Sequence, residues 1–471
     1  MTLRILGHGG GDRPAIIVDG LSILSYRELE ESVAKLEEKL PKRELFFLIG
    51  GNDIPTITCY LAALNCGSVP LLLSQGLTSD QLDRLVQTYD PRFVFIGDSA
   101  GWNPDGIDAK WRLGSYGFYL RKYARPTVLH EELALLLATS GSTGSPKLVR
   151  LSLRNVIKNA DAIVKYLAIS SEERSITSLP FNYSYGLSVI NSHFRAGASL
   201  VLTNRSLMDK EYWNHINTYR VTSFAGVPYS YDLLLKLRFD QIEMPTVRTL
   251  TQAGGRLDPF KMLQVHKICM AKGINFFPMY GQTEAAARIA FLSPEDIEAK
   301  LGSIGKSIPG VQLWLEDGTG QRIDTPGTIG ELVCAGPNVS LGYAECKEDL
   351  ALGDLNQGVL RTGDFARIDA DGYFFIEGRR HRFLKIFGIR VSLDSVEEIS
   401  ESKGWSCAAH GVDDRLVLFV VESPKLNSSA LKAEMAKSLS IHPSALQVRF
   451  LPELPRLHTG KVDYQCLGQM L

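Results

Sequence analysis

Cysteine, net charge and long apolar runs are what this sequence has least of. Its seven cysteines (Cys59, Cys66, Cys269, Cys334, Cys346, Cys407 and Cys466) lie far apart, form no C-x-x-C pair and are odd in number. That spacing argues against a disulfide framework and a paired-cysteine metal knuckle, and predicts buried, reduced thiols in a cytoplasmic protein. Net charge is −1, from 51 basic and 52 acidic residues, so no global field favours nucleic acid or an acidic membrane surface. No apolar run approaches the roughly 18 residues a membrane span requires. The start, Met1-Thr2-Leu3-Arg4-Ile5, runs into glycines and charge instead of the apolar stretch expected of a signal peptide. Internal repeats and low-complexity tracts are missing too. What is left is an ordinary globular composition, 45% hydrophobic and 22% charged over 471 residues, enough for several core-bearing units.

What is there begins with alternation. Residues 26–40 and 54–64 have helical patterns, while 44–50, 68–73 and 92–97 read as strands, which predicts α/β layers on a largely parallel sheet. A second alternation runs over 155–273, and short strands with Gly-Asp, Asp-Gly and Pro-Gly turns fill 302–378. Residues 98–125 are the weakest in pattern and are expected at the surface. A domain boundary is expected near Gly378, where an apolar strand gives way to the basic run Arg379-Arg380-His381-Arg382.

The most informative segment is Thr139-Ser140-Gly141-Ser142-Thr143-Gly144-Ser145-Pro146-Lys147, directly behind the apolar run Leu133 to Ala138. Backbone N–H groups and hydroxyls can wrap anionic oxygens, glycine permits close approach, and Lys147 adds a point charge. It is not the common nucleotide loop, because Lys147 follows Pro146 and precedes Leu148, so no hydroxyl stands beside it to hold magnesium. A solvated Ser/Gly linker is the competing reading. The immediate return to apolar Leu148-Val149 argues against it.

Together with more distant segments, that loop resembles the adenylate-forming, AMP-binding superfamily: acyl-CoA synthetases, adenylation domains of peptide synthetases, and luciferases. The matching residues are Met279-Tyr280-Gly281-Gln282-Thr283-Glu284, then Gly330-Glu331-Leu332, Gly336 and Gly342-Tyr343, then Arg361-Thr362-Gly363-Asp364. Gly378-Arg379, Lys385, Gly388, Arg390, Leu454-Pro455-Arg456 and Thr459-Gly460-Lys461 complete the order. The resemblance implies an α/β protein: a large N-terminal domain (1–377) of layered α/β subdomains plus a β-rich subdomain, and a small mobile α+β C-terminal domain (378–471) carrying a catalytic lysine.

The implied reaction joins a carboxylate to the α-phosphorus of ATP, releasing pyrophosphate, and then passes the acyl group to a pantetheine thiol of CoA or an acyl carrier protein. A carboxylate is already ionised at neutral pH, so the first half needs positioning and charge stabilisation instead of a base. By the resemblance, Thr139, Ser140, Gly141, Ser142, Thr143, Gly144 and Lys147 hold the β- and γ-phosphates. Thr283 contacts the α-phosphate, and Glu284 holds Mg2+, which takes few carboxylates and keeps waters. Asp364 accepts the ribose hydroxyls and Arg379 assists. Ala253, Gly254, Gly255 and Arg256 with Tyr280 and Gly281 enclose the adenine. Lys461 bridges carboxylate and α-phosphate. After rotation of the small domain, Gly388 and Arg390 line a thiol tunnel.

Three departures refine the expectation. The hinge acid of the family is replaced by His381, with Arg382 next to it, and the basic run is a candidate surface for an acidic carrier protein. The family's Thr-His behind the phosphate loop is Ser152-Leu153. The acid pocket, Asn182-Tyr183-Ser184-Tyr185-Gly186, has Asn where amino-acid-activating relatives carry Asp, so a buried ammonium would lack its counter-ion. A non-amino carboxylic acid is expected, with an aryl or amino acid, an oxygen-dependent oxidoreductase and a nucleotide-binding degenerate homologue as alternatives.

Overall fold

The computed structural model describes residues 5–6, 11–18, 22–98, 102, 107–138, 147–379, 382–387, 389–423, 426–439, 441–457 and 460–471. Two large sheets carry most of the chain. The eight-stranded sheet runs, edge to edge, Gly342–Ala344, Leu148–Ser152, Leu133–Ala138, Val69–Ser74, Leu45–Gly50, Phe93–Gly97, Tyr116–Arg121 and Ile107–Leu113. Its centre is parallel, as the alternation predicts. The nine-stranded sheet has a parallel middle from Pro14–Val18 to Asn275–Tyr280.

Helices Tyr26–Glu37, Ile54–Cys66, Leu153–Tyr166 and Ser184–Arg195 are packed between these sheets in one core that joins Leu48, Leu72 and Leu137 to Ile16, Leu200 and Leu202. Ile54–Cys66 contains no charged residue, which suits a helix buried on every side. Asp53 caps its start by accepting from Thr56 N–H, and Gly67 ends it at φ 78°. Ser152 accepts from Asn155 N–H while the Asn155 side chain accepts from Ser152 N–H. The Ser at this departure from the family pattern therefore starts the helix Leu153–Tyr166.

The described residues of 98–125 lie mostly at the surface, as expected, but they are patterned: they form strands Ile107–Leu113 and Tyr116–Arg121, which extend the eight-stranded sheet antiparallel to Phe93–Gly97. Trp111 stacks on Phe118 at 4.6 Å, and Tyr116 and Phe118 are buried. The alternation that makes this hairpin is short and broken by Gly114 at φ 59°, so its period is weak in the sequence.

A five-stranded antiparallel sheet follows, ending in Val359–Ile368 and Phe374–Arg379, with Asp364 opposite Arg379. Position 378 thus lies inside a strand that runs to Arg379. The remaining residues form the hairpin Phe383–Ile386 with Ile389–Ser392, the sheet Cys407–Val412, Arg415–Val421 and Leu446–Leu451, and helices Leu393–Ser402, Ser428–Ser438 and Tyr464–Gln469. Arg382 is turned into this unit. It pairs with Glu397 at 2.6 Å and Asp394 at 2.8 Å and lies 4.1 Å from the Tyr464 ring. It therefore organises the small domain's interior and is not part of a docking surface. Arg380 and His381 lie outside the described residues. Among the described residues, no helix is long and apolar enough to cross a membrane.

Candidate active site

The strand Asn275–Tyr280 ends in the nine-stranded sheet and turns at Gly281 into Thr283–Ala285. A Cβ on Gly281 would stand 1.7 Å from the Ala287 carbonyl oxygen, so only glycine lets the turn close on itself. Thr283 is 3.1 Å from the Ser184 hydroxyl at the start of helix Ser184–Arg195. Glu284 is fixed twice: its carbonyl accepts from Ser340 N–H, and its Oε1 accepts from the Tyr343 hydroxyl at 2.7 Å. One carboxylate oxygen is so oriented and the second is left for a ligand. No group of three or more acidic, His or Cys ligands occurs among the described residues. A single oriented carboxylate fits Mg2+, which keeps waters and phosphate oxygens, better than a metal that demands a protein cage.

Asp364 and Arg379 face each other across the five-stranded sheet, with Nε–H donating to Oδ1 at 3.1 Å. The Tyr280 hydroxyl donates to the other oxygen. Asp364 is 5% exposed, and burial pushes its carboxyl up while Arg379 and Tyr280 pull it back. Burial, and then the Asp364 charge, raise the Tyr280 phenol well above its usual range. Tyr280 thus acts through its hydroxyl as a positioning group for Asp364.

Gly254 and Gly255 do make a close approach. A Cβ on Gly254, at φ 84°, would lie 2.2 Å from the Tyr183 hydroxyl, and one on Gly255 would lie 3.1 Å from Pro228. Ala253 is buried beside Tyr183, Tyr185 and Met279. Arg256, grouped with them in the sequence, points elsewhere: its guanidinium pairs in bidentate fashion with Glu398 of the small domain at 2.7 and 2.9 Å. Asn182 lies in the turn before helix Ser184–Arg195. Gly186 lets that helix pack on the turn, since a Cβ there would meet the Pro180 carbonyl at 2.4 Å. Tyr183 and Tyr185 are edge to face at 6.1 Å, and the Tyr185 hydroxyl is 2.9 Å from Thr251 Oγ1.

Lys461 comes to this same place from the far end of the chain. Gly460, at φ 80°, packs against Val227 and Tyr229, and Arg456 lies 4.5 Å from the Tyr229 ring. The Lys461 ammonium is 5.2 Å from the Tyr183 ring centroid. Burial first, and then the Arg379 charge, bring it down to about 8, against the pull of Glu284. Lys461 therefore reaches Tyr183 from the small domain and lies within electrostatic range of Arg379 and Glu284.

Lys147 pairs with Glu345 at 3.0 Å and sits 4.2 Å over the Tyr343 ring. It thus stands one side chain from Glu284. Thr139, Ser140, Gly141, Ser142, Thr143 and Gly144 lie outside the described residues, as do Gly388 and Thr459. Arg390 is in the strand Ile389–Ser392, opposite Lys385. Several contributors do not stand out in the sequence: Tyr343, which reads only as part of a structural Gly-Tyr pair, Glu398 and Arg288. Arg288 has a signal, a lone charge within Ala285-Ala286-Ala287-Arg288-Ile289-Ala290.

The chain is similar to known proteins in sequence and in fold. The chain is 30% identical to a 2-succinylbenzoate–CoA ligase of Bacillus pumilus (strain SAFR-032) over 93% of its length and 91% of that relative. It is also 30% identical to a long-chain-fatty-acid–CoA ligase of Salmonella typhimurium, over 76% of this chain and 65% of that protein. Its fold matches ATP-bound MatB from Rhodopseudomonas palustris with a TM-score of 0.80 at 22% identity, covering 98% and 96% of the two chains. It matches the O-succinylbenzoate coenzyme A synthetase MenE of Bacillus subtilis, solved with AMP, with a TM-score of 0.78 at 21% identity over 96% and 94%. The model of the AMP-binding enzyme family matches residues 7–344, and with the converging site this chain belongs to that family.

Proposed function

We propose that this protein is an ATP-dependent acid–thiol ligase that activates a non-amino carboxylic acid as acyl-AMP and passes the acyl group to the pantetheine thiol of CoA. The single observation that carries the reading is Lys461, brought by the small domain to the same place as Glu284, Arg379 and Tyr183. A lysine held at the chain's far end gains nothing from that burial unless anions meet it there.

We infer the division of labour from the resemblance, with the described side chains in support. Asp364, held by Tyr280 and Arg379, offers two oxygens to the ribose diol. Ala253, Gly254 and Gly255 leave room for the flat adenine. Thr283 donates to the α-phosphate, while Thr139 to Gly144 and Lys147 take the outer phosphates. Glu284 would hold Mg2+, which supplies charge neutralisation for the phosphates when bound. An acid carboxylate beside Lys461 attacks the α-phosphorus as the bond to pyrophosphate breaks, and the lysine offsets the charge where the two anions meet. Residues 378–471 then act as the mobile unit, with Gly388 and Arg390 at the thiol tunnel. Relatives named CoA ligases support CoA as the acceptor, and ATP- and magnesium-bound neighbours support both ligands.

Acid-dependent exchange of labelled pyrophosphate into ATP, over a panel of carboxylic acids, tests this. Exchange that disappears in Lys461→Ala supports it, and subsequent AMP release with CoA or with a purified carrier protein identifies the acceptor. No exchange with any acid leaves a nucleotide-binding homologue without turnover.

A further inference from the structure

Arg288 is a buried cation that no carboxylate answers among the described residues. It is 1% exposed. Its Nε donates to Ser188 Oγ at 3.2 Å, and its Nη1 reaches the Tyr166 hydroxyl at 3.1 Å and Met279 Sδ at 2.6 Å. All three are neutral. Its Nη2 has no hydrogen-bond partner among the described residues. Buried Arg150 and partly buried Arg382 are treated differently. Arg150 is surrounded by the carbonyls of Leu341, Tyr343, Leu352 and Gly353, and Arg382 has two carboxylates. A buried guanidinium lacking its counter-ion is the costly half of an ion pair.

Its position relates it to the acid pocket. The guanidinium carbon is 4.3 Å from the Tyr185 ring centroid. Tyr185 stands edge to face with Tyr183 at 6.1 Å, and Lys461 is 5.2 Å from the Tyr183 ring. Each ring of the tyrosine pair therefore has its own cation, Lys461 beside Tyr183 and Arg288 beside Tyr185. Arg288 also borders a small cavity walled by Ser192, His193, Ser223 and Thr251. Glu173, on the same cavity, is already taken by Arg248 at 3.0 Å and by Thr222.

We propose that Arg288 is the specificity-determining residue and that the substrate is a dicarboxylic acid, its far carboxylate paired with Arg288 and its near carboxylate activated beside Lys461. The inference rests on the acid-activating reading of this site and names its substrate class. A planar guanidinium with a free amino group matches a carboxylate in charge and geometry. An acid with an α-ammonium is repelled, and a plain alkyl chain leaves the guanidinium unanswered. The chemical step is unchanged: a near-carboxylate oxygen bonds to the α-phosphorus as the bond to the pyrophosphate oxygen breaks, and the far carboxylate stays ionised throughout.

The test is pyrophosphate exchange with straight-chain dicarboxylic acids of increasing length, each beside its monomethyl ester, which keeps the length and removes one charge. For the preferred length, wild-type kcat/KM is expected at least about 30-fold higher for the diacid than for the ester, as for loss of a charged hydrogen-bond partner. In Arg288→Met, close in volume and neutral, that ratio falls below about threefold. Esters or simple monocarboxylic acids turned over as well as diacids would overturn the proposal and leave the ligase reading intact. A ratio that survives in Arg288→Met overturns it too. No exchange with any acid overturns both. If Arg288→Met does not fold, the wild-type ratio decides.

Discussion

The Tyr343 hydroxyl donates to Glu284 Oε1 at 2.7 Å, while Lys147 lies 4.2 Å over the face of the same ring. Tyr343 pairs with Val149 at the edge of the eight-stranded sheet, and Lys147 immediately precedes the strand containing Val149. One aromatic side chain so ties the strand behind the hydroxyl-rich loop to the carboxylate assigned to Mg2+. Its phenol sets the carboxylate rotamer and its face takes the lysine charge.

Removing that hydroxyl should loosen the metal requirement more than the fold. In Tyr343→Phe the ring and its contact with Lys147 stay, and one neutral-to-charged hydrogen bond is lost, worth roughly 1.5–3 kcal/mol when fully desolvated. Tyr343 is only partly buried, so the lower end applies. The Mg2+ concentration that half-saturates pyrophosphate exchange is expected to rise about tenfold, with the melting temperature nearly unchanged. An unchanged Mg2+ titration would separate Tyr343 from the metal role of Glu284.

The Arg256–Glu398 pair joins the domains in the arrangement that brings Lys461 in. Both side chains are near half-exposed, at 44% and 48%, so the pair is worth at most about 1 kcal/mol even with its bidentate geometry. Glu398→Ala is expected to slow acyl-AMP formation by no more than about fivefold. It should leave thioester formation from preformed acyl-AMP equal or faster, since that step needs Lys461 withdrawn. Rapid-quench measurement of the two half-reactions checks this. Equal slowing of both would refute a conformational role. High salt should reproduce the effect in the wild type.

Much of the fold and the site is legible in the amino-acid sequence, for identifiable reasons. Strands such as Leu45–Gly50 are apolar on both faces and announce themselves as short runs. Ile54–Cys66 carries its own cap, Asp53, and its own stop, Gly67. Tyr280 to Glu284 and Thr362 to Asp364 are contiguous in sequence, so the letters carry the site. What the sequence does not show is set by long-range pairing. Arg256 follows two glycines that face the pocket, yet its partner is 142 residues away. Tyr280 is expected to face a base with its ring, and nothing in the sequence announces that its hydroxyl also reaches Asp364, 84 residues away on the five-stranded sheet. Arg382 reads as part of a basic surface run, but Asp394 and Glu397, on the next helix, turn it inward.

Gly254 tests the acid pocket from the backbone side. Alanine there is strained at φ 84° and sets a methyl 2.2 Å from the Tyr183 hydroxyl but 3.4 Å from its ring carbon. Gly254→Ala is expected to cost about 1–2 kcal/mol in stability. It should also displace Tyr183, raising KM for the acid at least about tenfold and KM for ATP less. Tyr183→Phe in the same chain removes the clashing oxygen and leaves only a tight 3.3 Å approach to Val227 Cγ1, so the double variant should recover most of the acid KM. Failure to recover would place the damage in the backbone instead of at Tyr183.

Lys461 gives the pH dependence its direction. Burial, and secondarily the Arg379 charge, lower its ammonium from the usual lysine range to about 8. The protonated form is the one that bridges two anions, and it is full below that value and lost as pH rises through it. The acid substrate stays ionised down to about pH 5, so nothing opposes this limb over the neutral range. Pyrophosphate-exchange kcat/KM, which reports the free enzyme, should therefore fall on the alkaline side with an apparent pKa near 8. In kcat the limb should move to higher pH, because bound ATP and acid bring negative charge to the ammonium and favour its protonation. Lys461→Arg keeps its proton throughout and should lose the limb while running more slowly. Lys461→Ala should fall by about 100- to 1000-fold with a flat profile. An alkaline limb that persists unchanged in Lys461→Arg would assign it to another group and remove the buried lysine from the charge-offsetting role.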